Sequence, residues 1–397
     1  MPNLKHEYIF RSNDVLALSQ RLNENSIIAV DTEFCRRHTY YQHLGLLQIN
    51  LDGDVFLLDG RLDLTVLWQK IFQIKQNIFH SCAEDVSLIH AYAKQQPLNN
   101  LFDTQIALAY LGYGTQIGYQ SAVEQILDTY IDKEQNCSDW LARPLTPAQK
   151  QYAVNDVYYL SIMAAEIKSI LQQKGVYDHC LEDAQSLSKE VIYNGSAQSY
   201  FVDLAHNKLN RRQLMQLKQL CYWREELAMN QDRVRSSILN EQQMRNLVEH
   251  APRTSWQLFA QDYEIKPQTL RHYSEQILAL LNDLPAEADW PSLVRIRNTA
   301  VLNEQRELLL DKIDDVAEHL DIASDALIRK KWLSAIMHEA LNRHEQYQDD
   351  YNQLPDYLLG WRKDVITEPL IEMVMQFYRE NQNMDWREIK SRNKATK

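Results

Sequence analysis

The sequence predicts a mixed α/β domain, a sheet of parallel and antiparallel strands flanked by helices, followed by an all-α half. Short strand-like runs linked by a hairpin turn come first and strand–helix alternations follow, a pattern that a purely parallel sheet would not give. From about Thr146 onward apolar residues recur at helical spacing. Proline-bearing breaks then cut the helical half into modules.

In order along the chain, EYIF (7–10) reads as a strand and the polar stretch from Asn13 to Asn25 as a helix. IIAVDTEF (27–34) is the most core-like strand, opening with the continuous apolar run Ile27 to Val30. LGLLQINL (44–51) and DVFLLDG (54–60) are joined by Asp52-Gly53, a good hairpin signal. A helix is predicted near LTVLWQKIF, a strand over NIFHSC (77–82), and a helix from about Ala83 with Val86, Leu88 and Ile89 apolar. Thr146 is placed to cap a helix, with Pro147 in its favoured first turn. After a polar join carrying Asn207 and Asn210, Leu214, Leu217, Leu220 and Leu227 line one side of a helix. Ala251-Pro252 and Lys266-Pro267 mark further breaks, and LPAEADWP (284–291) reads as a linker. Tyr222-Trp223-Arg224 and Gly360-Trp361-Arg362 echo each other across that linker. The domains expected are therefore 1–205, 206–285 and 290–380.

At 397 residues, 45% hydrophobic and 24% charged, the composition is that of a soluble globular protein. No apolar run approaches the roughly 18–20 residues that span a bilayer, and MPNLKHEYIFRSND lacks the apolar core of a signal peptide. The five cysteines are widely spaced with no CxxC pair, which argues against a zinc site and fits a reducing cytoplasm. The net charge of −12 leaves the partner undecided, since acid gathers in metal sites and base in patches.

Asp31 and Glu33 close the apolar run, one residue apart on one face of a strand, roughly 6–7 Å from each other. Like charges that close repel, so the pair faces open water or shares a cation. Asp85 sits where a helix begins, Asp103 in LFDTQIAL reads as a helix cap, and Tyr152 and Asp156 project from one helix face at i and i+4.

The order Asp-x-Glu on a strand, Asp at a later helix start, and Tyr-x-x-x-Asp on a helix resembles the DEDD superfamily of 3′→5′ exonucleases, in the branch whose last motif carries tyrosine. VDTEFCRRHTYYQHLGLLQI, FHSCAEDVSLI and DWLARPLTPAQKQYAVNDVYYL resemble, over roughly residues 1 to 200, the ribonuclease D family. LKQLCYWREELAMNQDRVRSSILNEQQMRNLVEHAP with TLRHYSEQIL resembles the helicase-and-ribonuclease-D C-terminal (HRDC) domain, and about 290–380 a more divergent second copy. No GxxxxGK[ST] phosphate loop occurs, which removes the helicase reading.

The resemblance implies a ribonuclease H-like exonuclease domain followed by two all-α HRDC-like domains. It implies hydrolysis of RNA phosphodiesters to nucleoside 5′-monophosphates with two divalent ions, Mg²⁺ or Mn²⁺, held by Asp31, Glu33, Asp85 and Asp156. In that pattern Asp31 bridges both ions, Glu33 and Asp156 complete the site that activates water, Asp85 holds the second ion mainly through water, and Tyr152 orients the attacking water. The implied partners are tRNA precursors and other small structured RNAs with 3′ extensions, with no membrane and no nucleotide cofactor. A DNA exonuclease is the nearest rival, and a catalytically silent RNA-binding scaffold the rival from another class. Gln48, an amide inside an apolar strand, is expected to reach the nucleotide. His80 reads as a packed strand histidine, Cys35 as a small buried residue, and Arg36, Arg37 and Arg143 as phosphate contacts or ion-paired groups. In the helical half, Arg211-Arg212, Arg233 to Arg235, Arg295 to Arg297, Arg329 to Lys331 and the tail KSRNKATK are basic, with Trp223, Tyr273 and Trp332 as stacking candidates.

Overall fold

The computed structural model describes residues 5–94, 97–131, 138–295, 306–347 and 349–381. Its strands are β1 (His6–Ile9), β2 (Ile27–Cys35), β3 (His43–Leu51), β4 (Asp54–Asp59), β5 (Gln76–Phe79) and β6 (Leu101–Asp103). Among the described residues they form one sheet in the order β1-β4-β3-β2-β5-β6. The hairpin partners β2–β3 and β3–β4 are antiparallel, while β1–β4, β2–β5 and β5–β6 are parallel. Beyond its first residue β3 is buried throughout, because its neighbours and the helical layers leave neither face to solvent; its sequence accordingly runs apolar without alternation. β6 carries no strand signal in the sequence: it is three residues long, and the chain passes from it directly into a helix.

Among and after the strands the chain forms α1 (Ser12–Arg21), α2 (Thr65–Ile71), α3 (Ala83–Ala93), α4 (Thr104–Tyr110), α5 (Tyr119–Leu127) and α6 (Pro147–Gln173). Thr146 caps α6 as expected, its hydroxyl accepting from Gln149 N at 3.1 Å while the Gln149 side chain accepts from Thr146 N at 2.9 Å. The helical half continues with α7 (Tyr177–Asn194), α8 (Ala197–Leu204), α9 (Arg211–Gln231), α10 (Arg235–Ile238), α11 (Glu241–His250), α12 (Ser255–Ala260) and α13 (Pro267–Asn282). Beyond it are α14 (Arg306–His319), α15 (Ser324–Leu327), α16 (Trp332–His344) and α17 (Glu368–Asn381). No described helix is long and apolar enough to cross a membrane.

The chain divides into two compact units. One takes its described residues from Met1–Thr104, Tyr119–Glu166 and Leu187–Arg295, the other from Gln105–Gly118, Ile167–Ser186 and Ile296–Lys397. In the first, α9 is the hub against which α8, α10, α11 and α13 pack. Asn210 and Asn240 open α9 and α11 with full capping boxes to Gln213 and Gln243. Arg211, in one of the basic clusters, donates to the backbone carbonyls of Glu287, Trp290 and Pro291. Trp223 and Tyr273 pack edge to face at 5.6 Å. Arg297 and the basic tail lie outside the described residues.

The second unit is organised around Arg362, which is fully buried. It donates to both oxygens of Asp183 and to the carbonyls of Ala326 and Leu327, and Tyr110 Oη adds a bond to Asp183 at 2.8 Å. Gly360 permits the approach, since a Cβ there would lie 1.4 Å from Glu182 Oε1. Trp332 is only 3% exposed and stacks on Tyr357 at 5.0 Å, so it belongs to the core and is not a platform for bases. Asp183→Ala would strand the Arg362 charge in the interior and is expected to cost about 3–5 kcal/mol. Urea unfolding followed by circular dichroism measures it, and a loss below about 1 kcal/mol would contradict the account.

Candidate active site

Three of the expected carboxylates converge. Asp31 and Glu33 project from β2, Asp156 from α6, and one carboxylate oxygen of each lies within 4.8 Å of the other two. Polar groups inside the sheet set this arrangement. Asp31 stands opposite Gln48 in the β2–β3 ladder, and Gln48 Nε2 donates to Asp31 Oδ2 at 3.1 Å. Two residues on, Asn50 Nδ2 donates to the Val157 carbonyl at 3.2 Å, tying α6 to the sheet beside Asp156. One face of one strand thereby fixes both halves of the cluster. Gln48 is fully buried with its amide turned onto Asp31, a support for the carboxylate in place of the nucleotide contact expected of it.

Asp85 lies in the first turn of α3 and accepts from Thr32 Oγ1 at 2.5 Å, next in sequence to Asp31 and Glu33. The Asp103 carboxylate accepts from Ser81 N at 3.2 Å and Cys82 N at 2.8 Å, where the chain enters α3. Tyr152, one turn before Asp156, packs its ring against Trp140 at 6.0 Å. Trp140 in turn covers β3 where Gly45 leaves room; a Cβ there would meet the Trp140 carbonyl oxygen at 2.6 Å. Tyr119 Oη donates to the Asn155 carbonyl at 2.9 Å and lies edge-on to His80. His80 is held by Thr104 at 2.9 Å, a packed histidine. Arg143 is committed to Asp59 and the Gly45 carbonyl, whereas Arg36 and Arg37 are exposed just past β2.

Loss of solvation is the largest effect on every acid in the cluster. It lifts Asp156 to about 8. Added to the charges of Asp31, Asp156 and Asp85, it pushes Glu33 up to about 10. Asp31 is raised well above the carboxylate range by burial and the charge of Asp156, and Asp85 by burial and the charge of Asp31. Burial and the charges of Asp156, Glu33 and Asp31 raise Tyr152 too, so its phenol keeps its proton. Asp156 Oδ2 is buried without a hydrogen-bond partner among the described residues. Crowded hard oxygen donors with an unmatched lone pair fit a Mg²⁺- or Mn²⁺-type cation.

The sequence model of the 3′–5′ exonuclease family matches residues 6–172, and that of the HRDC domain residues 213–281. Ribonuclease D of Pseudomonas paraeruginosa is 29% identical over 375 residues, covering 90% of this chain and 95% of the relative. Ribonuclease D of Psychromonas ingrahamii is 30% identical over 352 residues, covering 86% and 93%. The chain belongs to the ribonuclease D family. Its fold is similar to the crystal structure of Escherichia coli RNase D, an exoribonuclease involved in structured RNA processing, with a TM-score of 0.80 at 25% identity over 94% of this chain and 99% of the other. As a member of the ribonuclease D family the chain is a hydrolase, a 3′→5′ exoribonuclease whose mixed α/β exonuclease domain precedes a helical region with an HRDC domain.

The raised carboxylates make stability depend on pH. The unfolded chain releases these protons near pH 4, while folded Asp156 and Glu33 hold theirs up to about 8 and about 10. Across that window the folded state binds more protons, so the free energy of unfolding falls as pH rises. A chelator-treated sample should therefore lose thermal stability from about pH 5.5 to pH 8.5, and Asp156→Asn should flatten the decline. Added Mg²⁺ should restore most at the alkaline end. Parallel melting curves for parent and variant would refute this electrostatic reading.

Proposed function

We propose that the chain removes nucleotides from RNA 3′ ends with two divalent ions, Mg²⁺ or Mn²⁺, held by Asp31, Glu33, Asp156 and Asp85. The observation that carries this reading is the convergence of Asp31, Glu33 and Asp156 within 4.8 Å in a site that raises all their proton affinities. When bound, the ions supply positive charge to the phosphate and leaving oxygen and acidify the attacking water. Asp31 would be the ligand shared between them, Glu33 and Asp156 would complete the site on the water side, and Asp85 would hold the other side mainly through water. Tyr152 keeps its proton and holds the attacking water by its hydroxyl, a positioner and not a base. The products are nucleoside 5′-monophosphates.

The substrates we propose are tRNA precursors and other small structured RNAs with 3′ extensions, in the cytoplasm. The domains run 1–205 for the exonuclease, 206–285 for the first HRDC domain and 290–380 for a second, HRDC-like one. The second finds support in its order of elements: a long helix, a four-residue helix and another helix (α14, α15, α16), as in α9, α10 and α11. The test is a 3′-extended tRNA, with matched RNA and DNA strands, incubated with Mg²⁺, Mn²⁺ or chelator and the products sized. A metal-dependent ladder shortening from the 3′ end of RNA is expected. Preferred turnover of the DNA strand, or turnover in chelator, would overturn the proposal.

A further inference from the structure

The connection between β2 and β3 is fastened from outside the sheet. Glu225, on α9, is 6% exposed and accepts from the Tyr40 hydroxyl. Arg235, at the start of α10, grips the same carboxylate twice, Nε at 2.5 Å and Nη2 at 2.6 Å, and reaches Tyr40 Oη at 3.1 Å. Its guanidinium lies over the rings of Tyr40 and Tyr200, 4.6 and 4.2 Å from their centroids. A second fastening is Asp232, just past α9, whose carboxylate accepts from Tyr41 N at 2.9 Å and pairs with His43 Nε2 at 2.9 Å. His43 is the first residue of β3, the strand whose Gln48 holds Asp31.

The sheet itself secures this end of β2 poorly. The β2–β3 register shifts between Glu33 and Phe34, so only Phe34 and Cys35 pair with β3 beyond the irregularity. Within the connection His38 takes a positive φ of 63°, a conformation that surrounding contacts must hold. Glu33 thus stands at the edge of the regular ladder. α3 holds the far end of the connection, where Gln42 Nε2 donates to the Glu84 carbonyl at 3.5 Å and Leu44 N to Tyr92 Oη at 3.1 Å. The charged groups that grip Tyr40, Tyr41 and His43 come from α9, α10 and the turn between them.

We propose that the HRDC module is a clamp on the catalytic hairpin: Glu225, Asp232 and Arg235 are positioning residues that fix the β2–β3 connection through Tyr40, Tyr41 and His43 and so set Glu33 for hydrolysis. The module then acts on turnover even when the RNA is too short to touch it. The inference rests on the catalytic reading of Asp31 and Glu33.

The experiment assays full-length Tyr40→Phe, Glu225→Gln and their double variant on an unstructured RNA tetranucleotide, with hydrogen exchange of the segment 34–43. Tyr40→Phe removes one hydroxyl and serves should Glu225→Gln fold poorly. Each variant should lower kcat about ten-fold, the scale of a small misplacement of a reacting group, with KM within about two-fold. The double variant should be no worse than the weaker single, since both break one network, and segment 34–43 should exchange faster. Leu258→Ala, which empties a core position of the same module on α12, should lower stability but keep kcat. Unchanged kcat with faster exchange, a kcat loss without faster exchange, a change in KM alone, or an equal kcat loss in Leu258→Ala would each overturn the clamp. Asp31→Ala in the same series separates the two readings: retained activity there defeats the catalytic assignment, whereas an inactive Asp31→Ala beside parent-like Tyr40→Phe and Glu225→Gln defeats the clamp alone.

Discussion

Asp31→Ala should reduce kcat by about four orders of magnitude or more, close to 5.5 kcal/mol of lost transition-state stabilisation. Asp31 is the carboxylate that Gln48 orients and whose charge raises both Glu33 and Asp85. Its removal takes away the proposed shared ligand, and modest extra metal should not rescue the loss. The folded protein should not suffer. Asp31 is held against its own loss of solvation and the charge of Asp156, so a chelator-treated Asp31→Ala sample should melt no lower than the parent. Dead activity with an unchanged or higher Tm, and with Mg²⁺ no longer raising that Tm, is the expected triple outcome. Parent-like hydrolysis by Asp31→Ala would sink the two-metal reading.

Tyr152→Phe is the second large effect. The ring keeps its packing against Trp140, and the carboxylates are untouched. Only the hydroxyl is lost. A single orienting hydrogen bond in a transition state is worth roughly 2–4 kcal/mol, or about 10² to 10³ in kcat. KM should change little, because the bond matters most as the water attacks. Metal-induced stabilisation should equal that of the parent. If the tyrosine were ordinary helix-face decoration, kcat would stay within a factor of about three, and the water-positioning role would be withdrawn.

The parts of the site legible in the sequence were those whose signal is local. Two acids ending an apolar run marked Asp31 and Glu33, and i, i+4 spacing put Tyr152 and Asp156 on one helix face. What escaped is the polar scaffold, because its partners are remote in the chain. Thr32 meets Asp85 across 53 residues and Asn50 meets Val157 across 107. One local signal did exist: Gln48 and Asn50 are two amides at i and i+2 in a strand otherwise apolar, so both face the same way. The sequence alone points Gln48 equally well at the nucleotide, since nothing in it tells an inward amide from an outward one. The two tryptophan–arginine echoes stand at unequal positions. Trp223-Arg224 lie inside α9, whereas Trp361-Arg362 stand just before a π-helical turn leading into α17. Both arginines are buried and donate to a carbonyl at the end of a four-residue helix, Leu239 and Leu327, so similar chemistry arises at unequal places.

The most direct test of the central claim is anomalous diffraction from crystals soaked in Mn²⁺ with a nucleoside 5′-monophosphate. The account predicts two peaks about 3.5–4 Å apart, both against Asp31, one of them also against Glu33 and Asp156. Ordered nucleotide at the cluster with no anomalous peak among these carboxylates, or manganese bound only elsewhere, would contradict it.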